Sequence, residues 1–342
     1  MIASVFLTSA CNLACKYCYQ GTHENGRTIS RETMDQLLDF LLQHIERNKE
    51  KNIMIVLHGG EPLLAFDELR YLIDKARTII PSAYFSMTTN GTYLTPEMET
   101  YLQKELAYLS LSIDGSEASH DRFRLFATGK GTWKKVSAAA RRLLLSFPEL
   151  RARMTIRSEN VDNLLHDIIE LIEMGFTSIS PVPDYFDAGW NEDTLKKLEQ
   201  QCQEIIKWKG ATNCQVDIGF IEDAVRARKY SVCSGLKSTL SIDSEGNIYP
   251  CTYLVGNPLM AAGHVKYGIN PDKRWDILCK GEQPNPDCIG CSRYEYCPGT
   301  RCKLINQLMT GEFDRPSPVL CHIENVKYRS GVFSKRLQLE RR

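Results

Sequence analysis

Cys11, Cys15 and Cys18 fall within eight residues of one another near the amino end, and eight of the chain's 13 cysteines crowd between Cys233 and Cys321. No other feature narrows the possible folds so far. The first residues, MIASVFLTSACNLAC, lack a basic segment, and no apolar run reaches membrane-spanning length. The expected location is therefore the cytoplasm, without a membrane partner. Thiols stay reduced there, so clustered cysteines point to metal ligation rather than a disulfide framework. The odd count adds to that argument.

Lys and Arg number 42, equal to Asp and Glu, so no nucleic-acid surface is indicated. The 342 residues, 43% hydrophobic, suffice for a large core. Up to about residue 185, β-rich runs alternate with amphipathic helical patterns. Strands are expected at Ile2–Leu7, Ile53–Leu57, Tyr84–Met87, Tyr108–Ile113, Arg153–Ile156 and Thr177–Ser180. Helices are expected from Glu32, over Glu68–Ile79, Pro96–Lys104, Trp133–Leu145 and Leu164–Met174. Ser30 and Thr95-Pro96 are start signals. Six βα units imply a parallel sheet, closed into a partial barrel or left open. The division expected is 1–185 for this α/β domain, 186–230 for a helical bridge with Glu192–Trp208, 231–330 for an irregular cysteine-rich domain, and 331–342 for a tail. In the third part periodicity fades, and bound metal is the expected scaffold.

The cysteine triplet follows the first strand, where βα sheets carry their functional loops. Three thiolates can wrap one iron–sulfur cluster and leave one iron open. A zinc site completed by His23 or His58 is the competing reading. The spacing Cys-x3-Cys-x-aromatic-Cys resembles the cluster motif of radical S-adenosylmethionine (SAM) enzymes. The resemblance implies a 4Fe-4S cluster on Cys11, Cys15 and Cys18, whose open iron takes the SAM amino and carboxylate groups. One electron then cleaves the sulfonium, and a 5′-deoxyadenosyl radical abstracts hydrogen. Tyr17 would lie against the adenine.

Gly59, Gly60, Glu61 and Pro62, after His58 at the end of the second strand, match the family's Gly-Gly-Glu-Pro motif for the methionine amino group. Glycine lets backbone approach closely, and Glu can accept bonds from an ammonium. Leu111-Ser112-Ile113-Asp114-Gly115, with His120-Asp121 and Arg124, resembles the fourth-strand segment of the peptide-modifying branch. That implies Ser112 on the ribose and Arg124 on the carboxylate, with a surface loop as the plainer account of Arg124. Thr89-Asn90-Gly91-Thr92 fits the pattern after strand three, though a simple turn explains it nearly as well. Pro181–Pro183 is expected near the adenine, with no residue assigned.

Cys233 and Cys251 bracket an expected hairpin turning at Glu245-Gly246-Asn247. Cys288-x2-Cys291-x5-Cys297-x4-Cys302 and Cys321 follow. Taken alone, such pairs suit zinc as well as iron. After the first half, they resemble the SPASM extension of peptide-modifying radical enzymes. The resemblance puts Cys233, Cys251 and Cys302 on a first auxiliary 4Fe-4S cluster and Cys288, Cys291, Cys297 and Cys321 on a second. The four residues before Cys302 depart from the family's three, and the first auxiliary cluster lacks a fourth ligand. Cys202, Cys214 and Cys279 are left as candidates for that ligand or as buried apolar thiols. An iron left open for substrate is the third option.

The function expected is that of a SAM-dependent peptide maturase. It would take hydrogen from a ribosomally made precursor peptide and install a thioether or carbon–carbon crosslink. Its reductant would be a flavodoxin or ferredoxin. With only ten residues before Cys11, an N-terminal leader-binding module is not expected, and another surface or a separate leader-binding protein would serve. A sulfatase maturase would carry an Asp after the second SPASM cysteine, where Thr252 stands. Peptide epimerisation would need a spare cysteine as hydrogen donor. A non-enzymatic zinc or iron–sulfur binding module leaves Gly59–Pro62 and Arg124 without a purpose.

Overall fold

The computed structural model describes residues 1–21, 26–222, 234–274, 276, 285–297 and 302–340, with side chains through 337. His23, Cys233 and Cys279 lie outside the described residues. Two compact units are drawn from interleaved stretches. The first comprises Met1–Leu111, Arg124–Phe147 and Ser234–Cys279; the second comprises Ser112–Phe123, Pro148–Cys233 and Lys280–Arg342.

In the first unit β1 (Ile2–Thr8), β2 (Ile53–Gly59), β3 (Ala83–Thr89) and β4 (Leu106–Ser112) pair in parallel in chain order. Helices α1 (Arg31–Asn48), α2 (Phe66–Ile79) and α3 (Pro96–Glu105) connect them. Ser30 caps α1 by accepting the Thr33 N–H at 3.0 Å, and Thr95 caps α3 through Met98 at 3.2 Å. Val5, Leu7, Ile55, Leu57, Phe85 and Leu111 are buried in the strands, and Leu37, Leu41, Leu69, Leu72 and Leu102 in the helices. Burial of this kind is the main stabilising term of such a layer.

The expected hairpin forms, from β5 (Thr239–Ile242) and β6 (Asn247–Tyr249), numbered within this unit. Its placement differs from the division expected at 231. Thr239–Ile242 pairs in parallel with β1, from Ile2↔Thr239 to Val5↔Ile242, so it extends the first unit's sheet. Leu240 and Ile242 are fully buried, which explains why the chain returns to that edge.

The second unit carries three further parallel strands, β7 (Arg151–Ile156), β8 (Ser178–Pro183) and β9 (Asp217–Ile218). Two long helices pack along each other here, Glu192–Thr212 and Pro318–Glu340, with Arg329 holding Glu199 through two bonds of 2.6 and 2.7 Å. Residues 331–340, set apart as a tail or frayed helix end, continue the second of these helices, whose first turns Leu320, Ile323 and Val326 anchor in the core. Among the described residues, no helix is long and apolar enough to cross a membrane.

Candidate functional site

The cysteine loop leaves β1 and lies directly on the end of β2. Gly60 donates its N–H to the Thr8 carbonyl and Glu61 to the Ala10 carbonyl, each at 2.9 Å. A Cβ on Gly59, whose φ is +146°, would stand 2.3 Å from the Thr8 oxygen, and one on Gly60 would stand 2.2 Å from the Ala10 oxygen. The glycines are thus required by the close approach of the protein's own cysteine loop.

Glu61 is 1% exposed. Its carboxylate accepts from Thr89 Oγ1 at 2.7 Å, the Asn90 N–H at 2.7 Å and the Leu63 N–H at 3.2 Å. Burial pushes this carboxyl up to about 7, against the opposing pull of those three donors. Its carboxylate ties the loop after β3 to the loop after β2.

The Thr89–Thr92 segment is more than a turn. Asn90 Nδ2 lies 3.9 Å from Cys11 Sγ and donates to Asn12 Oδ1 at 2.9 Å, while Asn12 Nδ2 reaches Thr92 Oγ1 at 2.8 Å. Burial pushes the Cys11 thiol up to about 12, with Glu61, Cys15 and Cys18 contributing in the same sense. The three thiols therefore share one electrostatic neighbourhood. A thiol so buried stays protonated until a cation binds it, and coordination then removes the proton. That chemistry suits a cluster-binding loop.

The loop's other side rests on the segment after Arg124. Ala14 donates to the Leu125 carbonyl at 2.8 Å, and Leu13 bridges Phe126. The Arg124 guanidinium stands 5.2 Å above the Tyr17 ring and is 7% exposed, which brings two of the expected SAM contacts together. Gln20 Nε2 donates to the Gly59 carbonyl at 2.9 Å. Tyr19 packs on Tyr253 with ring centroids 5.2 Å apart, so the Cys251 segment meets the Cys18 segment. Burial raises the Cys251 thiol as well.

Ser112 belongs to the second unit, half-buried at the end of β4. There Asp114 Oδ1 accepts the Thr155 N–H at 2.9 Å, and His120 Nδ1 accepts the Asp114 N–H at 3.2 Å. Gly115, at φ +100°, would place a Cβ 2.3 Å from Asp167 Cβ. The Asp-Gly and His of this motif thus shape the loop itself.

The second unit also gathers the later cysteines. Burial raises the Cys321 thiol, and the neighbouring Cys288 and Cys291 thiols raise it further. Consecutive turns carry Cys288, Cys291 and Cys297, with the Cys291 N–H on the Cys288 carbonyl at 3.1 Å. Cys302 precedes the helix Lys303–Thr310 and accepts the Asn306 N–H at 2.9 Å. Cys202, in the helix Glu192–Thr212, is fully buried, its thiol pushed up to about 12 by that burial, whereas Cys214 is half-buried just beyond that helix. Among the described residues, no three His, Cys, Asp or Glu side chains converge as ligands of one metal ion. A cubane instead distributes its thiolates over separate irons.

Asn12, Asn90 and Gln20 escaped assignment from sequence. Asn90 alone left a signal, as part of Thr89-Asn90-Gly91-Thr92 after a strand.

Residues 5–172 match the family model described as the Radical SAM superfamily. A cysteine-type anaerobic sulfatase-maturating enzyme of Clostridium novyi (strain NT) is 29% identical over 362 residues, covering 94% of this chain and 96% of that protein. A solved structure of native anSMEcpe with bound AdoMet and Cp18Cys peptide aligns with a TM-score of 0.79 at 18% identity, over 99% of this chain and 98% of that one. Streptococcus suis SuiB bound to precursor peptide SuiA aligns with a TM-score of 0.68 at 15% identity, over 93% and 75%. These two likenesses are of fold, the α/β partial barrel with its cysteine-rich extension.

Proposed function

Because the chain belongs to the radical SAM superfamily, as an enzyme of its SPASM-type branch acting on peptides, we propose that it matures a ribosomally made peptide by installing a thioether or carbon–carbon crosslink. The observation that carries this reading is the Cys11–Cys18 loop seated on Gly59 and Gly60, with Arg124 stacked on Tyr17. Cys11, Cys15 and Cys18 would hold the catalytic 4Fe-4S cluster. With SAM bound, that cluster would supply the 5′-deoxyadenosyl radical that abstracts hydrogen.

This chain's own residues orient and shield. Tyr17 and Arg124 would receive the adenine and carboxylate of SAM, Ser112 the ribose, and the Gly59-Gly60-Glu61-Pro62 motif the ammonium. Asn90 keeps an N–H on Cys11. Cys233, Cys251 and Cys302 would hold one auxiliary cluster, and Cys288, Cys291, Cys297 and Cys321 another, for three in all. An auxiliary cluster held there would supply an acceptor for the second electron, with a proton leaving to water as the crosslink closes. A flavodoxin or ferredoxin would serve as donor, and a separate protein would present the leader.

Sulfatase maturation is the second reading, favoured by the near-complete coverage of the Clostridium novyi relative. Thr252 opens the turn after Cys251 and cannot act as a carboxylate base there. Epimerisation with Cys202 as hydrogen donor conflicts with that thiol's complete burial.

The test is 5′-deoxyadenosine formation by anaerobically reconstituted, reduced protein, with Cys15→Ala as control. Product lost in the control supports the radical chemistry; zinc in place of iron, with no product, overturns it. Loss of two hydrogens from a peptide, seen by mass spectrometry, separates crosslinking from formylglycine formation on a sulfatase-type cysteine peptide and from mass-neutral epimerisation.

A further inference from the structure

Between Asn285 and Cys297 the only buried residue is Asn285 itself, and Ile289 is 75% exposed. No apolar core holds this stretch. Two cations stand where one would be expected.

Lys303 is 2% exposed, although lysine is almost never fully buried unless paired. Its Nζ donates to Asn285 Oδ1 and, at 2.6 Å, to Asp314 Oδ1. The Asp314 side chain is 57% exposed, so among the described residues the formal counter-charge bonded to this ammonium sits largely in solvent. Asn285 in turn accepts the Cys288 N–H on its carbonyl at 2.9 Å, while Lys303 directly follows Cys302. One buried ammonium thus joins the two backbone segments that carry Cys288 and Cys302.

Arg293 repeats the arrangement. It donates to Asn325 Oδ1, and Asn325 Nδ2 reaches Cys321 Sγ at 3.7 Å. In both cases a cation acts on a cysteine-bearing segment through an asparagine amide.

Taking an ammonium out of water costs several kcal/mol unless strong partners repay it. A neutral amide and a solvated carboxylate repay little. Four thiolates on a cubane make a concentrated negative charge, and net charge and hydrogen bonds set such a cluster's potential.

Resting on the reading that these cysteines hold auxiliary clusters, we propose that Lys303–Asn285 and Arg293–Asn325 are paired positioning relays. They brace the Cys288 and Cys321 ligand segments and hold the auxiliary potential up through their positive charge.

The experiment uses the full chain carrying Cys15→Ala, so that auxiliary iron alone is read. Iron and sulfide content, iron release to a chelator and midpoint potential are measured for that protein and with Lys303→Met, Lys303→Arg, Arg293→Met or Arg293→Lys added. The expected result is release about tenfold faster in each Met variant, with a more negative potential. Charge-keeping Lys303→Arg and Arg293→Lys should retain most of the potential. Unchanged release and potential in both Met variants would overturn the relays and leave the auxiliary clusters standing. No iron in the Cys15→Ala protein itself would overturn the cluster reading. Should Lys303→Met fail to fold, half-exposed Arg293→Met decides by the same measurements.

Discussion

The loop bearing Cys11, Cys15 and Cys18 and the stretch from Cys288 to Cys297 offer the same ligand but are held by different forces. The first is clamped by backbone bonds to Gly60, Glu61 and Leu125, on strands whose side chains are buried. The second runs through short turns with half-buried or exposed side chains, pinned by Lys303 and Arg293. A site built on strand ends is preformed, whereas a site built on turns draws its order from the metal.

Four changes would break or sharpen that contrast. The largest effect is expected from Gly60→Ala. Its Cβ would fall 2.2 Å from the Ala10 oxygen, backbone that cannot yield as a side chain would. Iron bound at the first site and 5′-deoxyadenosine formation should both be lost, at a cost of about 3 kcal/mol or more. Near-normal iron content in this variant would show that the loop is not clamped.

Glu61 comes next. Its carboxyl is raised from 4.5 to about 7 by burial, so the folded state binds more protons than the unfolded one between those values. Its contribution is therefore fully present below pH 4.5 and is lost as pH rises through about 7, by roughly 3 kcal/mol. Denaturant unfolding across that range should show the decline, and Glu61→Gln should flatten it. The same slope in the Gln variant would assign the pH dependence elsewhere.

Removing iron with a chelator should then separate the regions. Amide exchange over 285–297 should speed up by about ten- to a hundredfold. Exchange in β1 and β2 should stay slow. Equal loss in both would mean that the first loop also depends on its metal.

The smallest effect concerns the amides. Asn90→Ala should cost about 1 kcal/mol of stability even without metal, because Asn90 also binds Asn12. Asn325→Ala should leave metal-free stability nearly unchanged and show its effect only in iron retention. A reversed order would invert the contrast.

The two regions were also unequally legible. Most strands and helices of the βα units stand within about two residues of their expected ends, with β8 running on to Pro183 and α1 to Asn48, since burial on one helix face and along parallel strands imposes a period on the sequence. Cys11, Cys15 and Cys18 could be found from spacing alone because they are local. Asn90 and Lys303 could not, since each acts on a cysteine distant in sequence or across a gap that only folding closes. Glu61 was legible as a motif residue but not in its role, because the donors that occupy it come from the next strand's loop.

Composition and spacing by themselves determined the α/β class, the six βα units and the presence of clustered ligands, because those properties depend on neighbours within a few residues. Tertiary structure alone decided that the hairpin before Cys251 joins β1 and that Cys321 comes beside Cys288 and Cys291. It alone decided that Lys303 is buried against Asn285. Strand pairing and charge burial are settled by what lies across space, and no local period in the chain encodes that.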